Sequence, residues 1–148
     1  MRYSYGVTIT VAGLFLGCAT VDAVARGAGQ AMTPAQSVWS GVYTAGQATA
    51  GEAIYFERCV SCHGDDLGGR ESAPALAGPQ FLDAWHSKSL RRMLERIEEM
   101  PPGMPVSATE GVNLLAFLLY SSEIPSGPTT LPADRARLAE ITFERAKH

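Results

Sequence analysis

The chain has 148 residues, 46% hydrophobic and 18% charged, a composition that fits one modest globular domain and excludes a disordered or fibrous chain. Twelve Lys and Arg against fifteen Asp and Glu leave a formal net charge of −3. No basic block interrupts that balance, so a nucleic-acid partner is excluded as well.

The N-terminus reads as an export signal. Met1-Arg2 is a short positive start, and Val7 to Ala19 is apolar and uncharged but too short to span a bilayer comfortably. Two processing sites compete. Ala23-Val24-Ala25 is an A-x-A site that makes residues 1–25 a signal peptide and releases a soluble periplasmic protein. Leu14-Phe15-Leu16-Gly17-Cys18 resembles a bacterial lipobox, which removes residues 1–17 and leaves an acylated Cys18 as a membrane tether. Either route places the rest of the chain outside the cytoplasmic membrane. No other segment is expected to span a bilayer. Residues 26–38, rich in Gly, Ala, Gln, Ser and Pro, read as a flexible linker, and residues 39–148 as one domain with a C-terminal tail.

Thr44-Ala45-Gly46-Gln47 has the form of a capping box, a hydroxyl N-cap with Gln three residues later. The helix it opens is predicted from about Ala45 into Cys59. Gly51 inside that helix costs about 1 kcal/mol relative to Ala, and a glycine so placed marks a close helix crossing. Tyr55 lies four residues on, along the same face.

Cys59-Val60-Ser61-Cys62-His63 then carries the chemistry. C-x-x-C-H is the attachment signature of c-type haem. Thiols three positions apart on a helical turn can reach the two vinyl groups of a porphyrin and form thioethers. The next residue, His63, then supplies an imidazole nitrogen to the iron. A thioredoxin-type pair would want a preceding strand, and none is indicated. A zinc site would want a second ligand pair, yet the one other cysteine is Cys18, and His86 and His148 are isolated. The motif occurs once, so one haem c is expected, bonded to Cys59 and Cys62.

Gly64 to Gly69 is a turn-rich loop. Its Asp65-Asp66 pair lacks the alternating oxygen ligands of a calcium loop and reads as a solvated turn. Pro74-Ala75-Leu76-Ala77-Gly78-Pro79 cannot be helical throughout. Ser89 can N-cap a second helix from Leu90 to about Glu99, with Leu90, Met93, Leu94 and Ile97 on its apolar face and Arg91, Arg92 and Arg96 largely on a solvated one. Met100-Pro101-Pro102-Gly103-Met104-Pro105 must be an irregular loop. A third helix is predicted from Thr109 to Ser121. It is apolar nearly all round (Val112, Leu114, Leu115, Ala116, Phe117, Leu118, Leu119) and so should be buried. A short helix after Pro132 leaves Leu138, Ile141 and Phe143 to pack down. Strand signals are almost absent, which gives an all-α domain with a limited core that the haem largely forms.

With these elements in place, the chain resembles class I c-type cytochromes over about residues 39–146. Gly51 and Tyr55 lie eight and four residues before Cys59, and Leu114 and Phe117 lie fourteen and seventeen after Met100. In that family the two helices carrying such residues cross. The resemblance implies a cytochrome c fold, with helices packed around one covalent haem. It implies that the Pro74 carbonyl accepts the Nδ1 proton of His63, with Leu76 and Trp85 lining the haem pocket. It also places the sixth iron ligand in the methionine loop. Met100 has the family's spacing to the C-terminal helix, whereas Phe117 follows Met104 by only thirteen residues. His86 has no supporting motif.

Trp39-Ser40-Gly41-Val42-Tyr43-Thr44, Met100-Pro101-Pro102-Gly103 and Leu131-Pro132-Ala133-Asp134 are similar to strings in small cytochromes that accompany quinoprotein (PQQ) dehydrogenases. The implied function is electron transfer between a periplasmic dehydrogenase and a respiratory acceptor, a terminal oxidase or another cytochrome. A cytochrome subunit of such a dehydrogenase is the same reading within a complex. The sequence offers no nucleophile–base pair and no nucleotide loop. The alternative is a haem-based sensor or peroxidase-like enzyme, which needs a labile sixth ligand.

Overall fold

The computed structural model describes residues 36–71, 73–100, 103 and 105–145. The signal peptide, Cys18, residues 26–35 of the expected linker, Met104 and His148 lie outside the described residues.

Two fourteen-residue helices carry the fold, α1 (Ala45–Arg58) and α5 (Ala108–Ser121). Each opens on a capping box. The Thr44 hydroxyl accepts the Gln47 N–H and the Gln47 amide oxygen accepts the Thr44 N–H, both at 3.2 Å. At α5 the Ser107 N–H donates to the Glu110 carboxylate at 2.8 Å, and the Glu110 N–H donates to the Ser107 hydroxyl at 3.3 Å. Each box satisfies orphan N–H groups of a helix start. The Ser107 N–H and hydroxyl, with Arg58 at 3.0 Å, hold the Glu110 carboxyl below the usual range. That ion pair ties the end of α1 to the start of α5.

The helices cross backbone to backbone. A Cβ added at Gly51 would stand 1.9 Å from the Asn113 carbonyl oxygen and 2.9 Å from the Phe117 Cβ. One turn on, the Tyr55 ring packs on Phe117 with centroids 5.3 Å apart. Residues 114–119 of α5 are all buried, as its all-round apolar sequence requires.

Between these helices lie α2 (Val60–His63), α3 (Gly78–Trp85) and α4 (Leu90–Glu98). Leu90, Met93 and Leu94 bury one face of α4, and Leu94 reaches Gly111 of α5. Arg91, Arg92 and Arg96 form the expected solvated face, paired with Glu95 and Glu99. Ser89 is the N-cap residue of α4, but its side chain makes no capping hydrogen bond, which departs from the expectation. The helix α3 was also not expected. Pro79 in its first turn fixes φ where a missing N–H costs nothing, so the proline run, non-helical through Ala77 as expected, ends by starting a helix.

The C-terminal tail folds back over this core. Asp134 caps α6 (Arg135–Ala139) through the N–H groups of Ala136 and Arg137. Arg135 then bridges to Glu98 of α4 at 2.6 Å. Leu138, Ile141 and Phe143 are buried as expected. Phe143 meets Phe81 of α3 edge to face, with centroids 5.9 Å apart.

Beyond α6, β2 (Ile141–Thr142) pairs in parallel with β1 (Gln36–Ser37). This two-residue ladder shortens the expected linker. Gln36 to Val38 belong to the folded part, and Val38 is fully buried. The Trp39 indole N–H donates to the Glu144 carbonyl at 3.1 Å, and the Tyr43 hydroxyl to the Ile124 carbonyl. Both ends of the domain are thus held together by hydrogen bonds that no local pattern announces. The architecture is all-α apart from that ladder, as expected.

The crossing gives a direct test. Gly51→Ala must drive a methyl into a helix backbone that cannot rotate away. The holoprotein should lose about 1–3 kcal/mol of stability in urea unfolding. An unchanged midpoint would mean that the two backbones do not touch at Gly51.

Candidate functional site

The site grows from the end of α1. Cys59 closes that helix, its N–H donating to the Tyr55 carbonyl at 2.8 Å. The chain then makes the single turn of α2, in which the N–H groups of Cys62 and His63 both return to the Cys59 carbonyl. One turn therefore presents two thiols and the imidazole. Cys59 is half-buried and Cys62 exposed, and neither is in a disulfide. Burial pushes the Cys59 thiol above its ordinary value, against the opposing pull of Arg58.

Gly64 turns the chain out of α2 with φ +83°. The loop after it is closed by the Gly69 N–H donating to the His63 carbonyl at 2.9 Å and the Leu76 N–H to the Leu67 carbonyl at 2.8 Å. Gly69 has φ +80°, and a Cβ there would lie 2.8 Å from the carbonyl carbon of Pro74. Only glycine lets the loop fold so tightly.

Its closure brings the Pro74 carbonyl oxygen to 2.9 Å from His63 Nδ1. A carbonyl oxygen can only accept, so Nδ1 carries the proton and the Nε2 lone pair is left to bind a metal. The resemblance implied this bond, and the geometry contains it. A buried phenol backs the same loop. The Tyr55 hydroxyl donates to the Gly64 carbonyl at 2.5 Å, and burial pushes its pKa up to about 12, so it remains a donor. Sequence reading assigned Tyr55 to packing alone, since nothing in a linear pattern pairs a side chain with a carbonyl nine residues on.

The other expected residues are placed less tightly. Leu76 is partly buried and packs against the core. Trp85 ends α3, half-buried beside Phe81, with the Lys88 ammonium 5.2 Å from its ring centroid. Met100 is half-buried and leaves α4 with its N–H donating to the Ile97 carbonyl at 3.0 Å. Cys59, Cys62, His63 and Pro74 thus form one constellation. Met100 stands in the segment between α4 and α5 that the expectation named.

These residues fit a covalently attached haem. Two unpaired thiols on one helical turn can hold its vinyl edge, and an oriented neutral imidazole can ligate its iron. When bound, such a group supplies a one-electron ferric–ferrous couple. The chain's own part is to anchor it by two bonds, fix the His63 tautomer and bury its apolar faces. Among the described residues no group of three or more His, Cys, Asp or Glu side chains could hold a separate metal ion.

Residues 46–118 match the family described as cytochrome C oxidase, cbb3-type, subunit III. That span runs from α1 through the first eleven residues of α5 and contains the whole constellation. No curated protein matches the chain. Among solved structures, the sulfane dehydrogenase SoxCD from Paracoccus pantotrophus is similar over 76% of this chain at 20% identity, with a TM-score of 0.43. This chain covers 61% of that one.

Attachment can be tested apart from ligation. The protein matured with periplasmic haem-attachment machinery should keep its haem through acid–acetone extraction. The double variant Cys59→Ala, Cys62→Ala should release any haem it binds. Extraction of the haem from the unaltered protein would overturn covalent attachment.

Proposed function

Because residues 46–118 form a class I c-type cytochrome domain with one covalent haem, and so a haem-based electron-transfer module, we propose that the chain carries electrons through His/Met-ligated iron. His63 and Met100 are the proposed axial ligands. The observation that carries the reading is the His63 Nδ1–H bond to the Pro74 carbonyl, which fixes one ligand in the tautomer that iron requires. Met100 supports the second ligand by its position. It is half-buried and follows α4 directly, in the segment that joins α4 to α5. A soft neutral thioether favours the ferrous state and raises the potential. Iron with both positions filled takes part in outer-sphere transfer and offers no site to a substrate.

The proposed setting is the periplasm. Its support is the charged start, the apolar run Val7 to Ala19 and the two candidate processing sites. No helix among the described residues is long and apolar enough to cross a membrane. Acylation at Cys18 would tether the domain at the membrane surface, and there it would meet a respiratory acceptor within a thin layer. The proposed donor is a periplasmic dehydrogenase of the quinoprotein (PQQ) class, on the strength of the strings at Trp39–Thr44, Met100–Gly103 and Leu131–Asp134. The proposed acceptor is a terminal oxidase or another cytochrome.

An absorption spectrum tests the ligation. The ferric protein should show a methionine–iron charge-transfer band. Met100→Ala should abolish that band and lower the reduction potential, and Met104→Ala should do neither. A high-spin ferric spectrum that shifts with carbon monoxide or peroxide would replace this reading with the sensor or peroxidase-like one.

A further inference from the structure

Tyr55 does more than fill the helix crossing. Its ring packs on Phe117, and a phenylalanine would serve there equally well. The hydroxyl is a separate fact. It donates to the carbonyl of Gly64, the residue that follows the haem-ligating histidine, and both residues are buried.

That carbonyl also receives the Leu67 N–H at 3.4 Å, and the Leu67 carbonyl receives the Leu76 N–H at 2.8 Å. Two residues before Leu76, the Pro74 carbonyl accepts from His63 Nδ1. The phenol and the imidazole therefore stand at two ends of one hydrogen-bonded loop. We propose that Tyr55 is a positioning residue for the iron ligand: by holding the Gly64 carbonyl it fixes the turn from Gly64 to Leu67, and through the Leu67–Leu76 bond and Pro74 it sets the plane of the His63 ring. The inference rests on His63 ligating the iron.

Two points define the plane of that ring. One is the His63 backbone, held by α2. The other is the acceptor of the Nδ1 proton, which is only as fixed as the loop carrying it. The loop is polar and largely solvent-facing beyond Gly64, with Asp65, Asp66, Gly68 and Arg70 all exposed. Leu67 anchors it in the core, and the Tyr55 hydroxyl ties its first carbonyl to the buried crossing. Removing that hydroxyl leaves the Gly64 carbonyl buried with one weak partner, and the loop must move or admit water to satisfy it.

Proton NMR of the ferric holoprotein reads this directly. The hyperfine-shifted haem methyl signals follow the orientation of the axial ligands, and exchange of the His63 Nδ1 proton follows its acceptor. Tyr55→Phe should rearrange the methyl pattern and speed that exchange by roughly two- to tenfold, the range expected from losing one hydrogen bond. Tyr43→Phe is the control. It deletes an equally buried phenol that donates to the Ile124 carbonyl, far from His63 in the chain, and should lower stability while leaving both signals unmoved.

A folded Tyr55→Phe protein with the parent's methyl pattern and exchange rate would overturn the proposal and leave the hydroxyl a stabilising bond only. Should that variant fail to load haem, 3-fluorotyrosine placed at position 55 keeps the shape and donates more strongly. It should shift the methyl pattern and slow the exchange, and no change in either would overturn the proposal. The methionine band of the unaltered protein tests the ligation independently. Its absence would remove the functional reading while the Tyr55 signals still reported on His63.

Discussion

The contact of α1 with α5 at Gly51 is the constraint on which the rest of the structure depends. At that point one helix backbone lies against another, with no side chain between them to absorb an error. Side-chain packing can relax by changing rotamer, but a backbone contact cannot. The register of the crossing is therefore fixed to within a residue, and Tyr55 and Phe117 meet one turn further along. Four residues after Tyr55 comes Cys59. The last turn of α1 delivers the attachment motif at the rim of the helix pair, where the thiols remain accessible and His63 still faces a loop that can orient it. The Arg58–Glu110 bridge closes the same corner from the other side.

A second set of contacts positions what the crossing does not reach. The helix α3 is short and has only Phe81 fully buried, so it cannot hold its place alone. Phe143, from the far end of the domain, packs on Phe81, and the chain beside it is pinned by the Ser87 N–H to the Phe143 carbonyl and the Phe143 N–H to the Lys88 carbonyl. The tail that provides Phe143 is held in turn by β1 and Trp39 from the N-terminal end. Residues more than a hundred positions apart thus converge on the short helix that carries Trp85. A small domain needs such clamps, because its polypeptide core is limited.

What the sequence made legible divides along physical lines. Local signals were readable: the capping box at Thr44, the apolar faces of the helices beginning at Leu90 and Ala108, and the spacing of Cys59, Cys62 and His63. Each is decided within one or two turns of chain. The glycine at 51 was readable for a different reason, since an interior glycine costs helix stability and so calls for a compensating contact. The capping box at Ser107 has the same form as that at Thr44 and was there to be read. The helix α3 was not, because a proline weighs against helix until its position in the first turn is known. Ser89 shows the converse: a good N-cap residue in an N-cap position whose hydroxyl is not used. The β1–β2 ladder and the Tyr55–Gly64 bond depend on where distant or turning segments arrive, and no periodicity carries that information. In the site, Cys59, Cys62 and His63 were named from their spacing, and the structure sets them on one turn, while the groups that orient His63 were implied by family likeness or unseen.

The acceptor chosen for His63 bears on which chemistry the site favours. A carboxylate in the place of the Pro74 carbonyl would draw the Nδ1 proton, make the imidazole a stronger electron donor and favour ferric iron. Strong donation from the ligand side is the device that assists O–O cleavage in haem enzymes. A backbone carbonyl is neutral and a weaker base than a carboxylate, so it orients the ring without drawing the Nδ1 proton away. The nearest acids in this stretch, Asp65 and Asp66, are turned to other work: Asp65 pairs with Arg70 at 3.3 Å, and Asp66 accepts the Gly68 N–H at 2.9 Å. The same loop that orients the ring therefore also limits how strongly it can donate to a bound metal, through the identity of one acceptor atom.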